Sequence, residues 1–195
     1  IAGLLRLAST KADTPETIVS LNNYVARMKE GQDKIYYITA DTFNAAKNSP
    51  HLEIFRKKGI EVLLLSDRID EWLVAHLTEF EGKQFQSVAK GDLDLGKVEN
   101  ENEKEEQKKA KDDFADLINQ VKTTLGAKVQ DVHITHRLTD SPACIIVGEN
   151  ELGGQMQRIL KAAGQAVHEV KPILELNPKH PIVISLKDEA DTERF

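Results

Sequence analysis

Between Lys97 and Lys111 the chain carries almost no large apolar residue, and Glu and Lys dominate. A stretch like this has nothing to bury, so whatever cores the chain forms must lie on either side of it. It reads as a solvated linker or as the exposed start of a helix, with Glu105 and Lys109 at the i,i+4 spacing that favours pairing. We therefore expect two units, residues 1–110 and 111–195, within a length of 195 residues that suits one generous domain or two small ones.

Ahead of that stretch the pattern alternates. Ser20 is placed to cap a helix running to Arg27 or Glu30, with Leu21, Tyr24, Val25 and Met28 on one side and Gly31 as its stop. Lys34–Thr39 is β-branched and aromatic, as a buried strand should be. Short helices are expected at Thr42–Lys47 and Leu52–Lys58, the second ended by Gly59. Ile60–Leu65 is nearly all apolar, the signature of a strand covered on both faces. A helix over Asp67–Phe80 and a strand near Phe85–Val88 complete the series. Strand, helix, strand, helix, strand predicts a small three-layer α/β unit.

Beyond the charged stretch, Phe114, Leu117, Ile118, Val121 and Leu125 form a helical stripe ended by Gly126. Val129–Thr135, Ala143–Val147 and Ile173–Leu176 read as strands. Leu152–Ala163 reads as an amphipathic helix ended by Gly164. Asn177-Pro178 supplies a cap and a first-turn proline for a last helix. This half is expected to be α+β, with a short sheet and helices, and the chain as a whole α/β. The ends, an apolar run opening at Ile1 and the polar helical-looking Asp188–Phe195, both read as cut, which predicts a piece of something longer.

Several chemistries find no support in the residues. A formal charge of -6 argues against a nucleic-acid surface. No apolar run approaches the roughly 20 residues that cross a bilayer, and no secretory signal is seen. One cysteine, Cys144, suits a reducing cytosol and lies in an apolar strand, where an inert thiol is expected. Gly153-Gly154 lacks the spacing of a phosphate-binding loop. His133 and His136 are three apart on an expected strand, so they point to opposite faces and do not share a metal. No carboxylate pair is set by spacing as an acid and base. Neither a catalytic nor a metal site is expected.

Two apolar stretches stand out instead. Stepping about 100° per residue from Ile69 puts Leu73, Leu77 and Phe80 between roughly 0° and 80°, a compact inward face. Trp72 then falls near 300°, at the rim, and Glu71 near 200°, pointing outward. A tryptophan beside a surface carboxylate suits either the edge of a core or a protein-binding patch. The second stretch places Leu152, Met156, Ile159, Leu160 and Ala163 on one helix face, for which packing on the unit's own sheet is the default. Gly153-Gly154 weakens its first turn by about 1 kcal/mol per glycine. Methionine is adaptable enough to meet varied partners.

Longer motifs carry a resemblance. Tyr24-Val25-Ala26-Arg27-Met28-Lys29-Glu30-Gly31-Gln32 and Ile35-Tyr36-Tyr37-Ile38-Thr39 resemble the middle domain of the ninety-kilodalton heat-shock protein chaperones. Ser49-Pro50, Leu52-Glu53, Lys58-Gly59-Ile60-Glu61-Val62-Leu63 and Ile69-Asp70-Glu71 continue it in order. Arg137-Leu138-Thr139-Asp140-Ser141-Pro142 and Glu175-Leu176-Asn177-Pro178-Lys179-His180-Pro181 resemble the C-terminal domain. The match covers essentially the whole chain, and the short charged stretch and Trp72 look most like the bacterial branch.

The resemblance implies that residues 1–110 are the later part of the middle domain and 111–195 the front of the C-terminal, dimer-forming domain. It implies a cytoplasmic stress-response chaperone whose parent uses ATP and magnesium in a part upstream, dimerises through helices downstream, and meets clients and co-chaperones. For this segment it implies no cofactor and no enzymatic activity. Family client-binding positions map onto Glu71 and Trp72, and onto Leu152, Met156, Ile159 and Leu160. The chain departs in detail: Ala75 stands where an asparagine can occur, and Ile159-Leu160 replace a Leu-Phe pair. Two other readings stay open: a structural connector without client binding, and an unrelated α/β metabolic enzyme with Trp72 lining a small-molecule pocket.

Overall fold

The apolar runs predicted as strands become the centre of a mixed six-stranded sheet. In chain order the first half forms β1 (Arg6–Ser9), β2 (Ile18–Ser20), α1 (Leu21–Ala26), β3 (Lys34–Thr39), α2 (Phe43–Lys47), α3 (Glu53–Lys58), β4 (Leu63–Leu65), α4 (Asp70–His76), β5 (Glu79–Phe80) and β6 (Lys83–Ser87). The computed structural model describes residues 2–99, 101–166 and 170–189; the closing residues 190–195 of the expected polar helix lie outside these. The strand order is β2-β1-β4-β3-β6-β5. β3 runs parallel to both β4 and β6, while β1, β2 and β5 are antiparallel to their neighbours.

Alternation along the central strands gives the sheet two apolar faces. Tyr36, Ile38 and Leu64 pack with Phe43, Ala46, Leu52, Ile54 and Phe55 from α2 and α3 on one face. Ile35, Leu63 and Leu65 pack with Leu21 and Tyr24 of α1, and with Val74 and Leu77, on the other. This is the three-layer α/β unit expected. Ser20 caps α1 through its side chain, as its position suggests, and Thr42, expected as the first residue of the next helix, is instead the side-chain cap of α2. Gly59 ends α3 with φ 61°, a left-handed position that glycine fills without steric cost.

The helix predicted over Asp67–Phe80 is shorter. It ends at His76, and Glu79–Phe80 pair with β6 as a two-residue strand. Glu81 and Gly82 between them both have positive φ, 50° and 73°, the requirement of a tight hairpin turn. Glu-Gly is a weaker hairpin signal than Asn-Gly or Asp-Gly, so the helical period hid it. Strands β1 and β2 were also missed, and α1 ends at Ala26, short of Arg27–Glu30.

The second half forms α5 (Glu101–Asp113), α6 (Ala115–Leu125), β7 (Asp131–Ile134), β8 (Ala143–Ile146), α7 (Gly154–Ala162), β9 (Ile173–Leu176) and α8 (Pro181–Lys187). Its sheet has three strands in the order β7-β9-β8, parallel then antiparallel. The charged stretch becomes α5, which buries none of its residues. Two of its carboxylates reach other elements: Glu103 pairs with Lys58 at 2.8 Å, and Glu106 with Lys179 at 3.0 Å. The α6 stripe packs through Phe114, Leu117 and Val121 on Val132, Ile134, Leu176 and Val183.

The last helix starts three residues later than predicted. His180 is its cap, Nδ1 accepting from Ile182 N–H, and Pro181 takes the first turn. Asn177 is buried instead: Oδ1 accepts from Lys179 N–H at 3.0 Å, and Nδ2 donates to Ser141 O at 3.0 Å. No helix among the described residues is long and apolar enough to cross a membrane.

Candidate functional site

The α4 stretch carries its polar and apolar groups the other way round from the helical wheel. Glu71, expected outward, is 4% exposed, whereas Ile69, expected inward, is 70% exposed. The wheel starts from Ile69 and counts Phe80 on its inward face, but Ile69 precedes the helix and Phe80 belongs to β5. With the helix cut to Asp70–His76, Val74 and Leu77 supply the inward face. Glu71 can turn in because a donor waits there: Thr39 Oγ1, at the end of β3, donates to Glu71 Oε1 at 2.8 Å. Trp72 sits at the rim, 41% exposed, as the spacing indicated.

The second stretch does not take the default of packing on its own sheet. None of Met156, Ile159 or Leu160 belongs to an apolar cluster of either half among the described residues. Yet Met156 is only 7% exposed, with Ile159 and Leu160 half-buried and Leu152 39% exposed. The helix lies against the first unit. Arg158 Nη2 holds the Asp41 carboxylate at 2.6 Å. A Cβ at position 153 would stand 2.8 Å from Glu71 Oε1, so any larger residue would push that carboxylate out of its place.

The two stretches thus meet at one seam. Glu71 and Gly153 touch, and the residues next to them, Trp72 and Leu152, are both exposed. Behind the seam lies a cleft of about 360 Å³ lined by Thr39, Asp41, His51, Gly153, Gln155 and Arg158. It opens at the carboxyl ends of β3 and β6, where α/β folds place their ligands. Gln155 Oε1 and His51 Nδ1 are buried there and have no hydrogen-bond partner among the described residues. Burial, and secondarily the Arg137 charge, pulls the His51 pKa down to about 4, so the ring is neutral near pH 7.

A buried polar network joins the halves beneath this seam. Arg137 is fully buried; its Nε donates to Glu175 Oε2 at 2.8 Å. Its other nitrogens donate to the carbonyls of Val88 and Gly91 in the first unit. Gly91 N–H in turn donates to Val147 O at 2.9 Å. Cys144 lies in the same interior, its thiol 3.5 Å from Glu175 Oε2, and burial raises its pKa. The histidines take separate partners: His133 Nε2 is 3.3 Å from Asp131, and His136 Nε2 is 3.3 Å from Glu99 without hydrogen-bond geometry. Among the described residues no three His, Cys, Asp or Glu are grouped to hold a metal.

Sequence reasoning did not find Asp41, Arg158 or Thr39 as parts of this junction. Asp41 and Arg158 lie 117 positions apart, and no local pattern links them. Arg137 stood within a quoted motif, but its burial had no sequence signal.

An α/β chain with a charged helix over Glu101–Asp113 and a seam between the regions of its two sheets matches one known family. The family model described as "Hsp90 protein" matches residues 1–194. The chain belongs to the Hsp90 family. It is 65% identical over 97% of its length to the chaperone protein HtpG of Dechloromonas aromatica (strain RCB), covering 30% of that protein. It is 63% identical over its full length to the chaperone protein HtpG of Nitrosococcus oceani, and 60% identical to that of Coxiella burnetii, covering 31% of each. The chain therefore spans a little under one third of the length of these relatives.

Proposed function

We propose that this segment binds partly unfolded client proteins at the seam between its halves, through the exposed Trp72 and Leu152 together with the half-buried Ile159 and Leu160 of α7, which Met156 supports from its buried side. The observation that carries the reading is that an exposed tryptophan and an amphipathic helix outside every apolar cluster, about 80 residues apart in sequence, converge at one place. Surfaces of this kind give weak, broad recognition, because ordering a flexible client offsets much of the burial. In this reading Glu71 positions α7 and Trp72 rather than meeting the client itself, since its carboxylate is already engaged with Thr39 and Gly153. Residues 1–110 then act as the later middle domain and 111–195 as the front of the C-terminal domain. ATP use, co-chaperones and dimer formation are assigned in this proposal to the remainder of a longer chaperone.

Fluorescence of the single tryptophan tests it. The emission should be partly quencher-accessible and shift blue when an unfolded model protein lacking tryptophan is added. Trp72→Ala combined with Leu152→Asp should lower client affinity at least tenfold while circular dichroism shows an intact fold. Unchanged affinity in the folded double variant would sink the proposal. It would favour a second reading, a connector, to which the buried Arg137 network between the halves already lends support.

A further inference from the structure

Glu53 opens α3, yet its carboxylate leaves that helix and enters the loop between β7 and β8 of the other unit. There it accepts from the backbone N–H groups of Thr139 at 2.6 Å, Asp140 at 2.8 Å and Ser141 at 3.1 Å. The Ser141 hydroxyl donates to its second oxygen at 2.5 Å. Successive backbone N–H groups converging on one point form an anion-binding concavity. Among the described residues every hydrogen-bond partner of this carboxylate is a donor of that loop.

The loop has supports of its own. Asn177, buried at the end of β9, donates through Nδ2 to Ser141 O, and its backbone N–H donates to Pro142 O at 2.9 Å. Arg137 N–H donates to Thr135 Oγ1 at 3.2 Å, and the Arg137 side chain is locked by Glu175. The receptor is thus built by the second unit and its ligand is supplied by the first. Burial works against the charge on Glu53, but the Ser141 hydroxyl and the three amides outweigh it and hold the carboxyl below its ordinary pKa.

We propose that the Thr139–Ser141 loop is a preformed carboxylate receptor, occupied in cis by Glu53, and that this recognition clasps the two units together. The occupant in the fold is a carboxylate that uses both of its oxygens, so the ligand class is a small carboxylate. An emptied receptor should accept formate or acetate. The clasp also sets the angle at which the second unit meets the first, and does so independently of any client.

The test is Glu53→Ala in the intact chain, titrated with sodium formate against sodium chloride at equal ionic strength. The variant should melt about 5 °C lower than the unaltered chain. Formate should recover most of that loss saturably, and the amide resonances of Thr139, Asp140 and Ser141 should shift with it. The unaltered chain should show none of these formate-specific shifts. Should Glu53→Ala not fold, Glu53→Gln keeps the volume but removes the charge, and the same three amide resonances should move relative to the unaltered chain. Amides unmoved in the folded variants, or formate no better than chloride in Glu53→Ala, would overturn the proposal. Recovery by phosphate in preference to formate would overturn the carboxylate assignment.

Discussion

The two sheets of this chain solve the same problem unequally. The six-stranded sheet is covered on both faces, and its central strand β4 is buried at all three residues. The three-stranded sheet has one apolar cluster under α6 and α8 and a small second one around Leu138, Cys144 and Ile146. Its buried polar groups, Arg137 above all, find part of their hydrogen bonding in the first unit. The first unit holds itself together by area; the second leans on its neighbour. A helix such as α7 can then stay outside the apolar clusters of the described residues, at the seam, because its tethers run to Glu71 and Asp41 of the first unit.

The largest expected effect tests that dependence. Arg137→Ala leaves Glu175 buried without its partner and the Val88 and Gly91 carbonyls without their donor. It should cost about 3–5 kcal/mol in chemical denaturation, with loss of structure starting in the second unit. If only the first unit loosened, the asymmetry would be reversed. Core truncation in the first unit comes next: Phe55→Ala, at a fully buried ring stacked edge-on against Tyr36 at 4.8 Å, should cost about 3–4 kcal/mol.

The junction should also respond to pH through His51. Its folded pKa of about 4 lies below its ordinary 6.5. As pH falls below 6.5 the unfolded chain takes up a proton that the folded chain refuses, so stability is lost between about pH 6.5 and 4. Below pH 4 both states are protonated and this contribution no longer changes. Over that window the effect is on the order of 3 kcal/mol. Denaturation midpoints of His51→Gln at pH 7 and pH 5 should differ less than those of the unaltered chain, and an equal difference would remove His51 from the account.

Smaller effects sharpen the seam. Gly153→Ala forces a Cβ onto the Glu71 carboxylate and should cost about 1–2 kcal/mol, with faster amide exchange in α7 and little change in β3 or β4. Met156→Ala should cost only about 1 kcal/mol, below the range for a methionine inside a core. A loss as large as that of Phe55→Ala would place α7 in a core after all.

Much of the fold was legible because its signals are local. Lys34–Thr39 and Ile173–Leu176 are strands with the limits read from the sequence, and the Ser20 cap and the stop at Gly59 follow from backbone chemistry within a few residues. Two elements of the candidate site were legible in part: Trp72 stands at a rim as its spacing indicates, and the helix expected over Leu152–Ala163 forms over Gly154–Ala162, which leaves Leu152 ahead of it. Glu71 was turned the wrong way because a helical wheel assumes that the helix continues, whereas the Glu81-Gly82 turn made Phe80 a strand residue.

By itself, then, the sequence determined the class of fold, the charged stretch that becomes α5, and the residue types that give the seam its apolar character. Periodicity and turn chemistry act over a few residues, and each carries its own physical preference. Only the tertiary structure decided that Glu71 points inward to Thr39, that α7 leans on Asp41, and that Glu53 sits in the Thr139–Ser141 loop. Those choices depend on donors and acceptors many tens of residues away, and a buried charge settles wherever the folded chain brings enough donors to replace water.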